Sequence, residues 1–345
     1  MGQTALVLGG SGYVGNVLID ELIKFGIRCI NADIAPPLDK VCPYQPVDIR
    51  RSDEIRQVLK QHRPDLVINS TAAVPLVRSE KLFEEINVDG VRTLLQECLE
   101  ARVPKTIHIS TCGIFGIPRQ VPITERSAPT PVEAYGRSKT KGEALVQEFV
   151  ERGLDITILR PRSMMGYRRL GIFHVAFELV RCGRTMWTFG PGTNKIQFLH
   201  VRDFVRAVRL ASQRAGPNLY NIGAERFGTL KEDLQQLVDA AATGSRVSAC
   251  PRRVALGAMK TLAALRLSPV VPYQFLLYAH DIYFDVERAK KDLNWSSEYS
   301  NAEMMIESYR WYVDHHHELE RDTDRSVQRV PLKLGMLKLL KYLPI

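Results

Sequence analysis

Two side chains near the middle of the chain have the types and the spacing that proton transfer requires. Tyr135 and Lys139 are four residues apart on a predicted helix, so their side chains lie on one face, one turn from each other. A tyrosine ordinarily titrates near about pH 10, and a neighbouring ammonium favours its phenolate form. Tyr135 is therefore a candidate to exchange a proton with a substrate hydroxyl, an effect that contributes roughly 10²–10⁴-fold in rate. The same spacing occurs on ordinary amphipathic helices whose lysine reaches for solvent, so the interpretation depends on the surrounding sequence.

Two neighbouring hydroxyl side chains support a catalytic interpretation of Tyr135 and Lys139. Ser110 and Thr111 lie at the carboxyl end of a predicted buried strand, and open α/β sheets bind their ligands at the carboxyl ends of parallel strands. A hydroxyl at this position would hold a substrate oxygen beside Tyr135. We therefore predict that the catalytic residues are Tyr135, Lys139, Thr111 and Ser110.

A glycine-rich turn near the N-terminus has the composition of a phosphate-binding loop. The run Gly-Gly-Ser-Gly-Tyr-Val-Gly from Gly9 to Gly15 lies between a predicted strand and a predicted helix, whose first N–H groups attract anions. Asp33 ends the next predicted strand, where its carboxylate would bind ribose hydroxyls and repel a 2′-phosphate. The alternative for Asp33 is a solvated turn acid, and Arg28 is close enough in sequence to weaken the preference. We predict a bound dinucleotide, NAD rather than NADP.

The predicted elements alternate between strand and helix. Apolar periodicity predicts strands at 4–8, 28–33, 65–69, 105–110 and 155–159, and helices at 14–23, 52–61, 81–101, 135–151, 201–214 and 230–242. This order is typical of an α/β fold, a Rossmann doubly wound parallel sheet, here with a smaller C-terminal substrate-binding lobe. We assign the NAD-binding Rossmann domain to 1–165, with segments near 196–223 returning to it, the lobe to 166–312, and a tail to 313–345.

Composition limits the classes of partner. Of the 345 residues 45% are hydrophobic and 25% charged, as in ordinary globular proteins, and the formal net charge is +9. A positive surface favours anionic partners such as a dinucleotide or an acidic membrane. The basic residues are scattered rather than grouped with aromatics, which argues against nucleic-acid binding.

The cysteines and histidines do not form ligand patterns. Six dispersed cysteines without Cys-x-x-Cys pairs argue against a zinc site and against disulfides, and they favour a reducing cytoplasm. Three consecutive histidines, from His315 to His317, cannot face one point on a helix, so we predict no metal. Without a signal-peptide pattern or a membrane-spanning run, the expected location is cytoplasmic, with the cytoplasmic membrane face as an option.

Together these motifs resemble the extended short-chain dehydrogenase/reductase superfamily, in its NAD-dependent epimerase/dehydratase and 3β-hydroxysteroid dehydrogenase-like branch. The resemblance covers roughly residues 4 to 312. Besides the glycine turn, Asp33, Ser110-Thr111 and the Tyr-Lys pair, it rests on Asp48-Ile49, Ala72-Ala73, Asn87-Val88, Ile114-Phe115-Gly116, Arg160-Pro161, His200-Val201-x-Asp203 and Tyr220-Asn-Ile-Gly223. Leu8 departs from the family, where a hydroxyl residue often precedes the glycines.

The resemblance assigns roles to individual positions. Asp48 and Ile49 would flank the adenine, Lys139 would also hold the nicotinamide ribose, and Thr111 falls on the family's catalytic Ser/Thr position. The helices that include the Tyr-Lys element often pair two subunits, so a homodimer is expected. The residues predicted to bind the cofactor are Gly9, Gly12, Tyr13, Val14, Gly15, Asp33, Asp48, Ile49, Ala72, Ala73, Asn87, Tyr135, Lys139 and Pro161.

The substrate is less well defined by the sequence. Sugar-nucleotide members of the family commonly carry Asn where this chain has Ser163, and an Arg before the His-Val-x-Asp segment, where it reads from Lys195 to His200. Segments 252–266 and 332–343 have the apolar stripe and basic flank of interfacial helices, although such stripes usually pack on protein. We therefore predict hydride transfer between the cofactor and a secondary alcohol or ketone of a sterol- or lipid-type substrate, with peripheral membrane contact. The alternatives are a nucleotide-sugar epimerase/dehydratase with tightly bound NAD and a non-catalytic dinucleotide-binding regulator.

Overall fold

The structure, a computed structural model, describes residues 2–37, 39–75, 79–167, 173–251, 253–254, 257 and 279–321. The predicted interfacial helix at 332–343 lies outside these residues, as does nearly all of the one at 252–266. None of the described helices is both long enough and apolar enough to cross a membrane.

The chain alternates between strands and helices. Its first part contains β1 (Thr4–Leu8), α1 (Tyr13–Lys24), β2 (Arg28–Asp33), β3 (Tyr44–Pro46), α2 (Ser52–His62), β4 (Leu66–Asn69), α3 (Glu80–Glu84), a π-helical turn (Glu85–Asp89), α4 (Gly90–Glu100), β5 (Lys105–Ile109), a 3₁₀ turn (Cys112–Phe115), α5 (Ala134–Glu151) and β6 (Ile156–Pro161). Its second part contains β7 (Ser163–Met165), α6 (Phe173–Arg181), β8 (Met186–Phe189), β9 (Phe198–His200), α7 (Val201–Ser212), β10 (Asn218–Ile222), α8 (Leu230–Ala241), β11 (Val247–Cys250), α9 (Glu287–Leu293) and α10 (Asn301–Arg321).

Seven strands form one parallel sheet in the order β10-β6-β5-β4-β1-β2-β3. The central strands β1, β4, β5 and β6 are buried along their whole length, and most of their residues are apolar, although β5 also buries Lys105, Thr106 and His108. Helices α1 and α7 cover one face of the sheet, and α2, α4 and α5 cover the other. The predicted Rossmann-type doubly wound α/β sheet is confirmed.

A separate apolar cluster forms the core of the substrate lobe. It joins α6, α8 and α10 to residues of β7, β8 and β9. Segment 196–223 contributes to both parts, because β10 enters the main sheet while β9 pairs with β7. The domain limits at 165 and 312 stay a prediction, and α10 runs across the second of them.

Three features of the sheet differ from the sequence prediction, which gave no strand at β3 or β10 and ended β6 early. Strand β3 was missed because it has three residues, all partly or fully exposed, at the edge of the sheet. Strand β6 continues through Pro161 instead of ending at Leu159. The Leu159 carbonyl accepts from Ser110 on the β5 side of β6, and the Arg162 N–H donates to Ile222 on the β10 side. Backbone groups alternate between the two sides, so the Pro161 nitrogen faces the β5 side, where β5 has already ended. The ring therefore removes no ladder bond.

Candidate active site

The predicted acid-base pair lies on α5, against the end of β5. Lys139 is 1% exposed, and its Nζ donates to the Ile109 carbonyl at 2.8 Å. Burial lowers the pKa of Lys139 from its ordinary value of 10.5 to about 8, against the opposing effect of the Glu143 carboxylate. The Tyr135 ring packs edge-on against Phe83, with the ring centroids 6.0 Å apart. Lys139 is thus a buried amine whose charge depends on its neighbours.

Thr111 lies beside Tyr135, across a glycine. Its hydroxyl caps the 3₁₀ turn by accepting from the Gly113 N–H at 3.1 Å. A Cβ built on Gly113 would lie 3.5 Å both from Thr111 Oγ1 and from Tyr135 Cε1, so hydroxyl and ring flank the same point. Gly136 lets α5 approach this turn, because a Cβ there would lie 2.6 Å from the Gly113 carbonyl oxygen. The Thr111 hydroxyl and the tyrosine can therefore act on one substrate oxygen.

Ser110 does not share that position. Its side chain is 4% exposed, and its hydroxyl donates in a short hydrogen bond to the Glu143 carboxylate. Successive residues of an extended chain point to opposite sides, so Ser110 and Thr111 face apart. Ser110, predicted as catalytic, is in this structure a buried link between β5 and α5.

The glycine turn has the tight geometry expected of a phosphate loop. Gly9 has a φ of +74°, and a Cβ on Gly15 would lie 2.2 Å from the Gly9 carbonyl oxygen. Gly12 precedes the first residue of α1, whose N-terminus therefore faces the turn. Val14 is half-buried against the core, and the Tyr13 hydroxyl donates to the Tyr167 carbonyl at 3.2 Å. The turn fits a pyrophosphate because side chains are excluded from it.

We expect Gly15→Ala to weaken NAD binding or to destabilise the fold, because the new methyl group overlaps the backbone of Gly9 and Gly10. Forced overpacking costs about 1–3 kcal/mol, or roughly 5- to 150-fold in affinity if it falls on NAD binding alone. Calorimetric titration with NAD measures the loss of affinity, and thermal unfolding measures the loss of stability. Gly2→Ala is the control, since its Cβ meets nothing closer than 3.4 Å. Unchanged affinity and stability in Gly15→Ala would contradict this account of the turn.

Asp33 and Asp48 lie together at the adenosine end of the predicted cleft. The Asp33 carboxylate accepts from the backbone N–H groups of Ser11 and Ala35, both at 3.0 Å, which ties the end of β2 to the glycine turn. Asp48 follows β3, whose neighbouring Val47 N–H donates to the Asp33 carbonyl. Arg50 binds the Asp48 carboxylate at 2.6 Å and lowers its pKa. Ile49 is buried, next to Gly90, where a Cβ would lie 2.7 Å from the isoleucine.

Two of the remaining residues predicted to bind the cofactor lie in the loop after β4, and a third holds that loop. Asn87, in the π-helical turn, donates to the Ala73 carbonyl at 3.0 Å and accepts from the Ala73 N–H at 2.9 Å. Its amide also donates to the Ser138 hydroxyl of α5 at 3.0 Å. Asn87 is completely buried, and its hydrogen bonds hold the Ala72-Ala73 loop. Pro161 is buried at the carboxyl end of β6, on the same edge of the sheet.

Two residues of the His-Val-x-Asp motif connect the sheet to the lobe. His200 is completely buried, with its Nε2 2.6 Å from the Glu307 carboxylate and its ring stacked on Tyr299 at 3.7 Å. The Asp203 carboxylate accepts from the backbone N–H groups of Glu298 and Tyr299 at 3.1–3.2 Å. These motif residues therefore fix the lobe rather than face a ligand.

Sequence analysis missed Glu143 altogether. Its carboxylate accepts from Ser110 and pairs with the Arg160 guanidinium at 2.5–3.2 Å, all inside the protein. The available signal was its spacing, since Glu143 is one further turn along α5 from Lys139. In the part of the chain that the structure describes, no group of three or more His, Cys, Asp or Glu side chains could hold a metal ion.

Comparison with known sequences agrees with this geometry. The model of the NAD dependent epimerase/dehydratase family matches residues 5–223. An uncharacterized protein, y4nG, of Sinorhizobium fredii is 37% identical over 99% of this chain and 86% of its own length. A UDP-glucose 4-epimerase of Rhizobium leguminosarum bv. trifolii is 26% identical over 90% of this chain and 98% of its own.

Solved structures give the same fold. A UDP-glucose 4-epimerase of Thermotoga maritima, solved with UDP-glucose, superimposes with a TM-score of 0.75 at 23% identity, over 91% of this chain and 100% of that one. A UDP-glucose-4-epimerase of Stenotrophomonas maltophila, solved with bound NAD and formylated UDP-arabinopyranose, superimposes with a TM-score of 0.74 at 19% identity. The match covers 92% of this chain and 99% of that one. The predicted superfamily is confirmed, and NAD is confirmed as the cofactor of the family. The chain belongs to the NAD dependent epimerase/dehydratase family.

Proposed function

We propose that this protein is an epimerase of nucleotide sugars, which inverts a hydroxyl-bearing carbon of the sugar by oxidation and re-reduction. The observation that carries the proposal is the pairing of Thr111 and Tyr135 across Gly113, at the sheet edge that holds the glycine turn. It occurs in a chain aligned over 90% of its length with a UDP-glucose 4-epimerase.

The residues of the site have distinct roles in this chemistry. NAD bound at the glycine turn would supply a reversible hydride acceptor, so that the hydrogen taken from the sugar carbon could return to the opposite face of that carbon. Tyr135 takes the proton of the sugar hydroxyl during oxidation and gives it back during reduction, while the Thr111 hydroxyl holds the same oxygen. Lys139 places a positive charge next to the phenol, and this charge favours the phenolate. The glycine turn and Asp33 are suited to bind the pyrophosphate and the adenosine ribose.

The loop after Thr111 favours epimerisation over dehydration. Elimination of water from a sugar requires an acid for the leaving hydroxyl and a base for the neighbouring carbon, in addition to the group that handles the oxidised oxygen. The two residues that follow Thr111 are Cys112, which has a thiol, and Gly113, which has no side chain. Inversion by Tyr135 alone needs neither group.

The lipid-type substrate of the sequence analysis has less support than its alternative. It depended on helices at 252–266 and 332–343, nearly all outside the described residues, and on Ser163 and Lys195. The named relatives with a stated activity are sugar-nucleotide epimerases.

Membrane contact and the homodimer stay predictions. The outer surface of α5 carries ion pairs to neighbouring helices, Lys141 with Glu84 at 2.8 Å and Arg92 with Glu148 at 3.4 Å.

Product analysis by proton NMR tests the proposal. Purified protein is incubated with UDP-glucose, UDP-galactose and other UDP-sugars in heavy water, and free NADH is followed by absorbance. We expect a UDP-sugar to equilibrate with its epimer without net NADH and without deuterium at the inverted carbon, because the same hydrogen returns. Net NAD reduction by a hydroxysteroid or another lipid alcohol, with no sugar converted, would replace the proposal by the lipid dehydrogenase. Binding of NAD with no turnover of either class would favour the regulator.

A further inference from the structure

Helix α5 carries three ionisable side chains on one face. Tyr135, Lys139 and Glu143 follow each other at intervals of four residues. Tyr135 and Lys139 are the proposed acid-base pair, whereas Glu143 is too deep to meet a substrate, with 8% of its surface exposed. A buried carboxylate is costly unless it is paired, so its partners show what it does.

The partners of Glu143 come from two strands of the sheet. Arg160 of β6 donates to the carboxylate through Nε at 2.9 Å and through Nη2 at 2.5 Å, and the guanidinium is itself 5% exposed. Ser110, directly after β5, donates its hydroxyl to the same carboxylate. The Arg160 guanidinium also lies 5.2 Å from the centre of the Phe115 ring, in the turn that Thr111 caps. Glu143 thus joins α5 to both strands that border the catalytic turn.

Three consecutive residues at the end of β5 are fixed by this arrangement. The Ile109 carbonyl accepts from Lys139, Ser110 donates to Glu143, and Thr111 accepts from Gly113 beside Tyr135. A slip of the strand relative to α5 would break the Lys139–Ile109 and Ser110–Glu143 contacts together and would move Thr111 relative to Tyr135. The position of Thr111 relative to Tyr135 therefore depends on a bond made two helical turns away.

We propose that Glu143, oriented by Arg160, is a positioning residue of the active site, which locks the register of residues 109–111 against α5 and supplies the negative charge opposite the Lys139 ammonium. This deepens the proposed function and rests on it only for the activity measurements. The role differs from that of an ordinary core ion pair because it acts on the protonation of Lys139.

Among the described residues, few titratable groups face Lys139. On α5 itself these are Tyr135 and Glu143, and Glu143 raises the pKa of Lys139 against the effect of burial. His108 of β5 faces Lys139 as well, but burial and the lysine charge hold its pKa well below the ordinary value, so it stays neutral. Arg160 of β6 is bound to Glu143. The π-helical turn contributes the uncharged Asn87, through Ser138. Glu143 is therefore the negative charge to remove.

The experiment follows the titration of Lys139 by NMR of protein with isotope-labelled lysine, assigned with Lys139→Met. It needs no substrate, so it decides this proposal even if no UDP-sugar is turned over. In Glu143→Gln we expect the Lys139 midpoint to fall by about one pH unit, a tenfold change in the protonation equilibrium. In Arg160→Gln, which leaves the carboxylate without its cation, the midpoint should rise. Because the two shifts are opposite, Arg160→Gln carries the test if Glu143→Gln does not fold.

Two further variants separate charge from geometry. Glu97→Gln is the matched control. Glu97, on α4, is 3% exposed and forms an ion pair with Arg56 of α2 at 2.7 Å. Glu97→Gln should leave both the Lys139 titration and the pH profile of activity unchanged. Ser110→Ala should lower kcat without moving the Lys139 midpoint. An unchanged midpoint in Glu143→Gln, or shifts in the same direction in Glu143→Gln and Arg160→Gln, would reduce Glu143 to a structural ion pair and overturn the proposal.

Discussion

Replacing Tyr135 by phenylalanine should lower kcat for nucleotide-sugar epimerisation by roughly 10²–10⁴-fold. The substitution removes only the hydroxyl, and the new ring retains its edge-on packing against Phe83. NAD binding and the unfolding midpoint should therefore remain close to those of the wild type. Initial rates at saturating UDP-sugar, together with a calorimetric NAD titration, measure the two effects.

A second tyrosine provides the control for this prediction. Tyr309 is 6% exposed in the core of the lobe, on α10, and Tyr309→Phe should leave kcat within about twofold, as expected for a change far from the reacting atoms. A Tyr135→Phe enzyme that retains more than about a third of wild-type kcat would remove Tyr135 from the proton transfer, since acid-base groups contribute far more than that.

The second large effect concerns stability and pH. The pKa of Lys139 is about 8 in the folded protein against an ordinary 10.5, so between these pH values the unfolded chain holds a proton that the native protein has released. The free energy of unfolding of the wild type should therefore rise with pH in this window, relative to Lys139→Met, by about 3 kcal/mol in total. Below about pH 8 both states are protonated, and the difference between the two proteins should be constant.

Urea unfolding at several pH values between 7 and 11 measures this difference. Lys60→Met, at an exposed position of α2, is the control, and its free energy of unfolding should change with pH in the same way as that of the wild type. A wild type that loses stability relative to Lys139→Met as the pH rises through the window would mean that the buried amine keeps its proton, with its pKa raised rather than lowered. Lys139→Met should also lose most of the epimerase activity.

The sequence predicted the sheet well because its central strands are buried on both faces. Most residues of such strands are apolar, as at 66–68, and the strands are bounded by helices with clear periodicity. The short strands β7, β8, β9 and β11 were missed, because three or four residues carry no periodic signal. Local pattern therefore predicts the long elements and leaves the lobe undefined.

The candidate site shows the same division between local and distant information. Tyr135 and Lys139 belong to one helix, so their spacing alone predicts that they act together. Ser110 and Thr111 are adjacent, and the extended chain turns only one of them towards Tyr135. The sequence alone predicts that the two side chains point to opposite sides of the strand. It does not predict which side meets α5. The link from Ser110 to Glu143 spans 33 residues and depends on how helix and sheet pack.

The contacts of His200 and Asp203 have a consequence for the synthesis of the protein. Their partners, Glu307, Glu298 and Tyr299, follow 95 to 107 residues later in the chain. A ribosome that adds roughly 5–20 residues per second needs about 5–20 s to supply them. During that interval the buried carboxylate of Asp203 lacks the two backbone N–H groups that it binds in the finished protein. The NAD-binding sheet can therefore form early on the ribosome, whereas the substrate lobe closes only when α10 emerges.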